Sequence, residues 1–252
     1  MKAKGTEMNI DEFIKKLSLP RSTDTVENMY YGNTQKAIVR RERLKKYLES
    51  FGAPEFVFVG EAPGYKGCAR TGVPFTSDDG EMSATILTEA FKKELPDSTP
   101  LMWNAFPFHP HEKGNIDSNR KPTAKELEIG KLYMRDFMKL FPSVTYFFAV
   151  GRVSEKMLKG LVDERMVEYI RHPAYGGKRE CELGVKYGIM RFFMVADWER
   201  LLRSTADEAV DPDTAYKDLK EHEAEFRKWY YEGDHDEYPW MFLHRNDKKT
   251  GI

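Results

Sequence analysis

Hydrophobic residues in the middle of the chain occur in short runs that alternate with longer stretches of helical periodicity. Four runs are rich in β-branched and aromatic residues, as buried parallel strands are. They lie at 56–59, 101–106, 144–150 and 166–170. Between them, the stretches at 82–93, 122–140 and 153–161 place apolar residues three and four positions apart, which is typical of helices. Strands that alternate with helices predict the α/β class: three αβα layers around a central, mostly four-stranded parallel sheet.

Helical patterns also flank this region, at 9–18, 33–50 and 215–231. The second of these helices carries a basic face, which we interpret as a solvated surface. Its residues are Arg40, Arg41, Arg43, Lys45 and Lys46. The segment at 186–202 fits either a helix or a further strand at 191–195.

Charge is distributed unevenly along the 252 residues. The segment 206–252 holds 13 Asp and Glu against 7 Lys and Arg, which leaves 28 of 41 acidic and 33 of 40 basic residues in 1–205. A chain of this size with 40% hydrophobic residues can bury one substantial core. We therefore expect one α/β domain at 1–205 and an acidic, helical extension at 206–252. The mildly basic body is compatible with binding to nucleic acid.

The chain has no apolar stretch that approaches the length of a membrane span. Cys68 and Cys181 are its two cysteines, too few for a cysteine-ligated cluster or a zinc ribbon and typical of a reducing compartment. We expect a soluble, cytoplasmic monomer that does not act at a membrane and needs neither a metal nor another cofactor.

The predicted strand at 56–59 leads into a glycine-rich loop. Gly60, Gly64, Gly67 and Gly72 would allow backbone amides to approach a ligand closely. The loop lacks the Gly-Lys-Ser/Thr ending of a nucleoside triphosphate site and the glycine spacing of a dinucleotide site. The predicted ligand is therefore something other than a nucleotide phosphate.

Three polar residues follow three different predicted strands: Glu61, Asn104 and His172. Taken singly, an asparagine at a strand end often caps a helix, and a His-Pro pair often makes a turn. The carboxyl ends of parallel strands, however, meet at one edge of the sheet, where ligands bind in open α/β folds. Their shared placement therefore predicts a functional site at that edge.

The loop sequence Gly-Glu-Ala-Pro-Gly at 60–64 is followed by Gly-Val-Pro-Phe at 72–75. This segment resembles the first motif of the uracil-DNA glycosylase superfamily, and most closely that of its bacterial and archaeal family 4 branch. Three weaker matches follow in the same order, and the resemblance covers about residues 54–180. The first is Asn104 at the end of the second strand together with 119–122 and Glu126 at the helix entry after it, the second is 149–152 at the end of the third strand, and the third is 172–174 with its His-Pro pair.

The resemblance implies a DNA repair enzyme that flips uracil, or another deaminated base, out of DNA and hydrolyses its N-glycosidic bond without cleaving the strand. It implies that Phe75 stacks on the base and that Asn104 reads the base edge, since an amide donates and accepts at once. It further implies that His172, with backbone amides near Glu61 and Ala62, stabilises negative charge on the base oxygen.

The sequence leaves three candidates for the residue that activates water. Ala62 stands where the best-known branch has a water-activating aspartate, so Glu61 is the natural substitute. Asp78 and Asp79 are the alternatives.

Two further departures concern the substrate and the cofactor. Gly64 and Tyr65 would complete the base pocket, but Tyr65 is displaced by one position from the tyrosine that excludes the thymine methyl group, so selectivity among bases stays open. Family 4 members hold an iron-sulfur cluster on four cysteines, and Gly130 replaces one of them here.

For DNA contacts, the resemblance points to Arg120 and to the segment after the His-Pro pair, with Tyr175 as a possible wedge and Lys178 and Arg179 on phosphates. A plain surface loop is the alternative for that segment. Two other functions also stay open: a non-catalytic DNA-binding or damage-recognition protein on the same fold, and an α/β enzyme acting on free nucleosides or nucleotides.

Overall fold

The computed structural model describes residues 8–77, 82–174 and 176–204. The chain divides into two units, Met1–Phe193 and Met194–Ile252, and the described part of the second unit is helical backbone. The predicted acidic extension at 206–252 lies outside the described residues. Within the described ranges, no helix is both long enough and apolar enough to cross a bilayer.

Helices and strands alternate through the first unit. The helices are α1 (Ile10–Leu17), α2 (Gln35–Glu49), α3 (Cys68–Thr71), α4 (Met82–Glu94), α5 (Ala124–Leu140), α6 (Arg152–Leu158) and α7 (Lys178–Ser204). The strands are β1 (Val26–Glu27), β2 (Phe56–Gly60), β3 (Leu101–Asn104), β4 (His109–Pro110), β5 (Tyr146–Val150) and β6 (Val167–Ile170).

Four of these strands form the central sheet in the order β3-β2-β5-β6, and every neighbouring pair is parallel. The register pairs Gly60 with Asn104, so the carboxyl ends of β2 and β3 lie side by side. All four strands end at the same edge, because they run in the same direction. The predicted fold class is confirmed.

The sheet separates two hydrophobic clusters because successive strand residues point to opposite faces. In β2, Val57 and Val59 pack with residues of α1, α2, α5 and α6. Phe56 and Phe58 pack on the other face, against residues of α4 and α7. Helices therefore cover both faces, and they make the outer two of the three layers.

The ambiguous segment at 186–202 belongs to α7, and the alternative strand at 191–195 is wrong. Cys181, Val185 and Ile189 are buried and lie four residues apart, a spacing that gives a helix one apolar face. The helix predicted from 122 begins two residues later, at Ala124. Thr123 caps α5, and its hydroxyl accepts from the Glu126 amide while the Glu126 carboxylate accepts from the Thr123 amide.

The N-terminal segment is attached to the sheet by contacts that the pattern did not predict. Strands β1 and β4 form a two-residue antiparallel pair, too short to leave a periodic signal. Tyr47 of α2 donates to the Met102 carbonyl and accepts from the Met102 amide at the outer edge of β3. Helix α2 is thereby fixed beside the strand that ends at Asn104.

Candidate active site

Glu61 and Asn104 lie together at the sheet edge. Glu61 follows the last residue of β2, and Asn104, which is buried, ends the neighbouring strand in register with Gly60. His172 lies two residues past the end of β6, two strands away from β2, or about 10 Å at the usual strand spacing. The strand between them runs into Gly151, where an added Cβ would meet no described atom within 4 Å. The three predicted residues therefore flank an open part of the edge.

Phe75 is brought back over the end of β2 by an unusual backbone conformation. Its φ is +56°, in the left-handed region that residues with a side chain rarely adopt. A Cβ placed on Gly60 would stand 2.5 Å from Phe75 Cζ and 3.0 Å from Asn104 Oδ1. Gly60 thus allows the Phe75 ring and the Asn104 amide to converge on one spot. Strain of this kind clusters at functional sites.

Behind this spot, Asn104 is oriented by a buried polar group. Its Nδ2 lies 3.9 Å from Cys68 Sγ, on the short helix α3. Tyr30 contacts the same cysteine and donates from its hydroxyl to the Gly72 carbonyl at 2.8 Å. Cys68 therefore has a structural place in the fold and is one support of the Asn104 side chain.

The loop between β2 and α4 is held by contacts that sequence reasoning did not predict. His109, fully buried, lies between two carbonyl oxygens, with Nδ1 2.8 Å from that of Pro63 and Nε2 2.9 Å from that of Ile116. Asn119 accepts from the Tyr65 amide at 2.9 Å. The segment after β3 therefore clamps the glycine-rich loop from outside.

The other predicted loop residues are part of the same structure. Ala62 is half-buried against the hydrophobic cluster that contains β2. The Gly64 carbonyl accepts from the Gly67 and Ala69 amides, which closes the turn into α3. Tyr65 places its ring under the Arg70 guanidinium, 4.6 Å from the ring centre.

Glu61 sits in an environment that favours its neutral form. Burial raises the pKa of the Glu61 carboxyl above its ordinary value, and the nearby positive charge of Lys121 opposes that rise. A carboxylate with a raised pKa accepts a proton more readily than an ordinary surface carboxylate does. The sequence did not indicate that Lys121 acts on Glu61, because the loop after β3 brings the two charges near each other only in the folded chain.

His172 is exposed, and its ring has a defined tautomer. The Ala174 amide donates to Nδ1 at 3.2 Å, so the proton of the neutral ring lies on Nε2. The loop around it is tight, since a Cβ on Gly177 would overlap the His172 carbonyl oxygen. The ring can therefore present one N–H donor at the sheet edge.

The Arg120 guanidinium makes hydrogen bonds within the protein. Its guanidinium binds both carboxylate oxygens of Glu126 at 2.6 and 2.8 Å. The remaining N–H groups donate to the carbonyls of His111, Lys121 and Thr25, so all five donors are used. These bonds favour a structural role over the predicted DNA contact, which would have to break some of them.

The other predicted DNA contacts lie at the start of α7. Lys178 and Arg179 are exposed there, and Lys178 is 4.0 Å from the Glu182 carboxylate. Tyr175 lies outside the described residues. So do Asp78 and Asp79, the alternatives to Glu61.

The iron-sulfur cluster of the family 4 branch does not fit this chain. It would need four cysteines, and the sequence has two. Gly130, at the position of one of the missing ligands, packs on the backbone of the strand end, where a Cβ would overlap the Ala105 carbonyl oxygen. Within the described residues, no group of three or more His, Cys, Asp and Glu could hold a metal ion.

A protein-family model described as the uracil DNA glycosylase superfamily matches residues 49–205. Among solved structures, the crystal structure of wild-type SMUG2 from Pedobacter heparinus is similar, with a TM-score of 0.50 and 12% sequence identity. The match covers 75% of this chain and 98% of that chain, and at this identity it shows the fold alone. No curated protein matches the chain.

Proposed function

Because the chain belongs to the uracil-DNA glycosylase superfamily, we propose that it removes uracil, or another deaminated base, from DNA by hydrolysing the N-glycosidic bond. The observation that carries this proposal is the convergence of Phe75 and Asn104 on Gly60, next to Glu61 and across an open edge from His172. Each kind of group that base excision needs is present: a ring, an amide, a carboxylate and a donor.

Recognition of the base rests on Phe75 and Asn104. A glycosylase takes its target nucleotide out of the duplex and holds the base in a pocket. The Phe75 ring offers a stacking surface, and the Asn104 amide offers a donor for a base carbonyl and an acceptor for a base N–H. Uracil carries both partners on one edge. Ala62, Gly64 and Tyr65 of the clamped loop form the wall of the pocket in this proposal.

Chemistry rests on Glu61 and His172. The electron pair of the glycosidic bond leaves with the base, which becomes an anion, and positive character develops on the sugar. The His172 Nε2–H donates to the base oxygen and stabilises the anion. Ionised Glu61 orients a water molecule and takes its proton as the water oxygen bonds to the sugar carbon. The released anion then takes up a proton.

Binding of the DNA around the extruded nucleotide involves the start of α7. Lys178 and Arg179 are exposed cations that suit phosphate contacts, and Tyr175 is the proposed wedge. We also propose that the protein acts in the cytoplasm as a monomer, and that it removes the base without cleaving the DNA strand.

The direct test is incubation with an oligonucleotide carrying one uracil, followed by alkaline cleavage at abasic sites. We expect cleavage of the uracil strand only after alkali, and none when thymine or cytosine replaces uracil. Asn104→Ala should abolish excision, whereas Asn33→Ala, at an exposed asparagine before α2, should leave it unchanged. Strand cleavage without alkali would contradict the assignment as a hydrolase of the glycosidic bond alone.

A non-catalytic DNA-binding protein is the second candidate, and Ala62 favours it, since the superfamily's best-known branch has an aspartate there. Specific binding to uracil-containing DNA without release of the base would support this candidate. Activity on free deoxyuridine but not on DNA would instead support a nucleoside-processing enzyme.

A further inference from the structure

The basic face of α2 and the loop after β2 line one cleft of about 610 Å³. Lys36, Arg40 and Arg43 follow one another at spacings of four and three residues, so they share one side of the helix. Arg70 and Tyr65 of the loop line the same cleft. We propose that this cleft binds the phosphates of the DNA strand next to the extruded nucleotide.

Helix α2 and the loop are in direct contact, so the cleft is a built part of the fold. Arg40 donates from Nε to the Arg70 carbonyl at 3.1 Å and pairs with the Glu27 carboxylate at 3.5 Å. A Cβ on Gly72 would stand 2.6 Å from the Arg40 Cβ. Together with the Tyr47 bonds to β3, these contacts fix α2 relative to the candidate active site.

The basic side chains in the cleft differ in how exposed they are. Arg40 is largely covered, with 16% of its side chain exposed, and its guanidinium serves the contact between helix and loop. Lys36 and Arg43 are exposed on either side of it. The lining holds four basic and two acidic residues. They are Lys36, Arg40, Arg43 and Arg70, against Glu27 and Asp117. Their excess of positive charge attracts a polyanion.

The dimensions suit a DNA strand. Lys36 and Arg43 are seven residues apart on a helix, or about 10 Å, which is the axial rise of about three phosphates of one DNA strand. An aromatic ring among cations is the combination that tracks a nucleic-acid strand, and Tyr65 with Arg70 provides it. Tyr65 belongs to the same loop as Glu61, so a strand in the cleft would continue into the site.

This assignment separates the basic face of α2 into two groups. Arg41 donates to the carbonyls of Tyr30 and Gly32, and Lys45 pairs with Asp11, so these two serve the fold. Lys36 and Arg43 are exposed and line the cleft, where they can reach a bound phosphate. Helix α2 lies almost wholly before the residues 49–205 that the family model matches, so the family match does not assign this surface. The choice of DNA as the ligand rests on the proposed function.

The test measures binding of an undamaged fluorescent duplex, and of the same duplex with one uracil, over a range of salt concentrations. The double variant Lys36→Ala with Arg43→Ala should bind both duplexes more weakly. Each lost phosphate contact lowers the slope of log affinity against log salt by about 1, so we expect a decrease of about 2. Lys46→Ala, an exposed lysine of the same helix that does not line the cleft, should keep the wild-type slope.

One further double variant makes the result decisive. Lys36→Arg with Arg43→Lys keeps both charges and should keep the slope, whereas an equal decrease in this variant would overturn the role of charge. A wild-type slope in the double alanine variant would overturn the inference, even if the protein excises uracil. Conversely, a slope that depends on Lys36 and Arg43 in a protein that leaves uracil in place would uphold the cleft and refute the proposed glycosylase.

Discussion

The loop after β2 and the loop after β6 each bring a proposed catalytic residue to the same sheet edge, but the protein holds them differently. Around the first loop, the buried residues His109 and Tyr30 and the exposed Asn119 all bond to backbone groups of residues 63–72. In the second loop, His172 is exposed and its ring is held by the amide of Ala174 in the same loop.

Because the two loops are held differently, substitutions in them should affect the stability of the protein to different degrees. In the proposed mechanism the carboxylate of Glu61 acts on the sugar from a half-buried position, where burial raises its pKa and ordering its surroundings costs folding free energy. In the same proposal the donor of His172 acts on the base from an exposed position. We therefore expect substitutions at the first loop to change both stability and rate, and substitutions at the second loop to change rate alone.

Replacing the carboxylate should have the largest effect. Glu61→Gln keeps the shape of the side chain but removes the base, so single-turnover excision should slow by on the order of 10²–10⁴. Glu55→Gln, at an exposed glutamate just before β2, is the matched control. A near wild-type rate in Glu61→Gln would remove Glu61 from the mechanism and turn attention to Asp78 and Asp79.

The same variant should be more stable than wild type at neutral pH. Since the pKa of Glu61 is raised on folding, its contribution to stability is present below the unfolded-state pKa and is lost as pH rises through the folded-state value. Glutamine avoids that loss. Thermal unfolding at several pH values should show the advantage of Glu61→Gln at neutral pH and its disappearance in acid.

Loss of the donor in the exposed loop should have the next largest effect. His172→Ala should slow excision by on the order of 10²–10³, as the loss of one anion-stabilising donor does. DNA affinity and the melting temperature should change little, because the ring is exposed. His172→Gln supplies an N–H donor and should recover part of the rate. A marked loss of stability in His172→Ala would contradict the contrast between the two loops.

Crowding the convergence point should disturb recognition of the base. In Gly60→Ala the new methyl group would meet Phe75 and Asn104 at 2.5 and 3.0 Å, so both must shift. A misplacement of about 1 Å can cost about 10² in rate. Gly52→Ala, where an added Cβ meets nothing within 4 Å, is the control in the turn before β2. Equal excision by the two variants would show that this contact does not matter.

Removing the clamp on the first loop should affect stability more than chemistry. His109→Leu removes the ring nitrogens that lie 2.8 and 2.9 Å from the Pro63 and Ile116 carbonyl oxygens, and a buried carbonyl that loses its donor costs about 1–3 kcal/mol. Excision should fall less than in Gly60→Ala. In His111→Leu the ring that is lost has its Nδ1 3.0 Å from the carbonyl oxygen of the adjacent residue Glu112, a local contact, so urea unfolding should show it to be the milder change. The reverse order would contradict the clamp.

The smallest effect concerns the charge beside Glu61. Lys121 lowers the pKa of Glu61 against the effect of burial, so Lys121→Ala should raise that pKa further. The acid limb of the excision rate should then move to higher pH, since Glu61 must be ionised to accept a proton. Lys125→Ala, an exposed lysine on the first turn of α5, should leave the limb in place.

Sequence periodicity was sufficient for the architecture. The runs around 56–59 and 144–150 have no polar face, which only a strand buried on both sides requires, and the structure places them at the centre of the sheet. Once the strands were located, the direction of a parallel sheet put Glu61, Asn104 and His172 at one edge. The helix α7 was the exception, because its short apolar stretch fits either period.

Only the tertiary structure decided which side chains are available to a ligand. Arg120 and Lys36 look alike as exposed cations in sequence, yet the first has all five donors bonded and the second is exposed at a cleft. His109 finds the Pro63 carbonyl 46 residues away, and a single contact over that distance leaves no periodic trace. Local pattern determines which residues form strands and helices, because that choice depends on neighbours along the chain. The pairing of donors with acceptors depends on how those elements pack, which is decided only when the chain has folded.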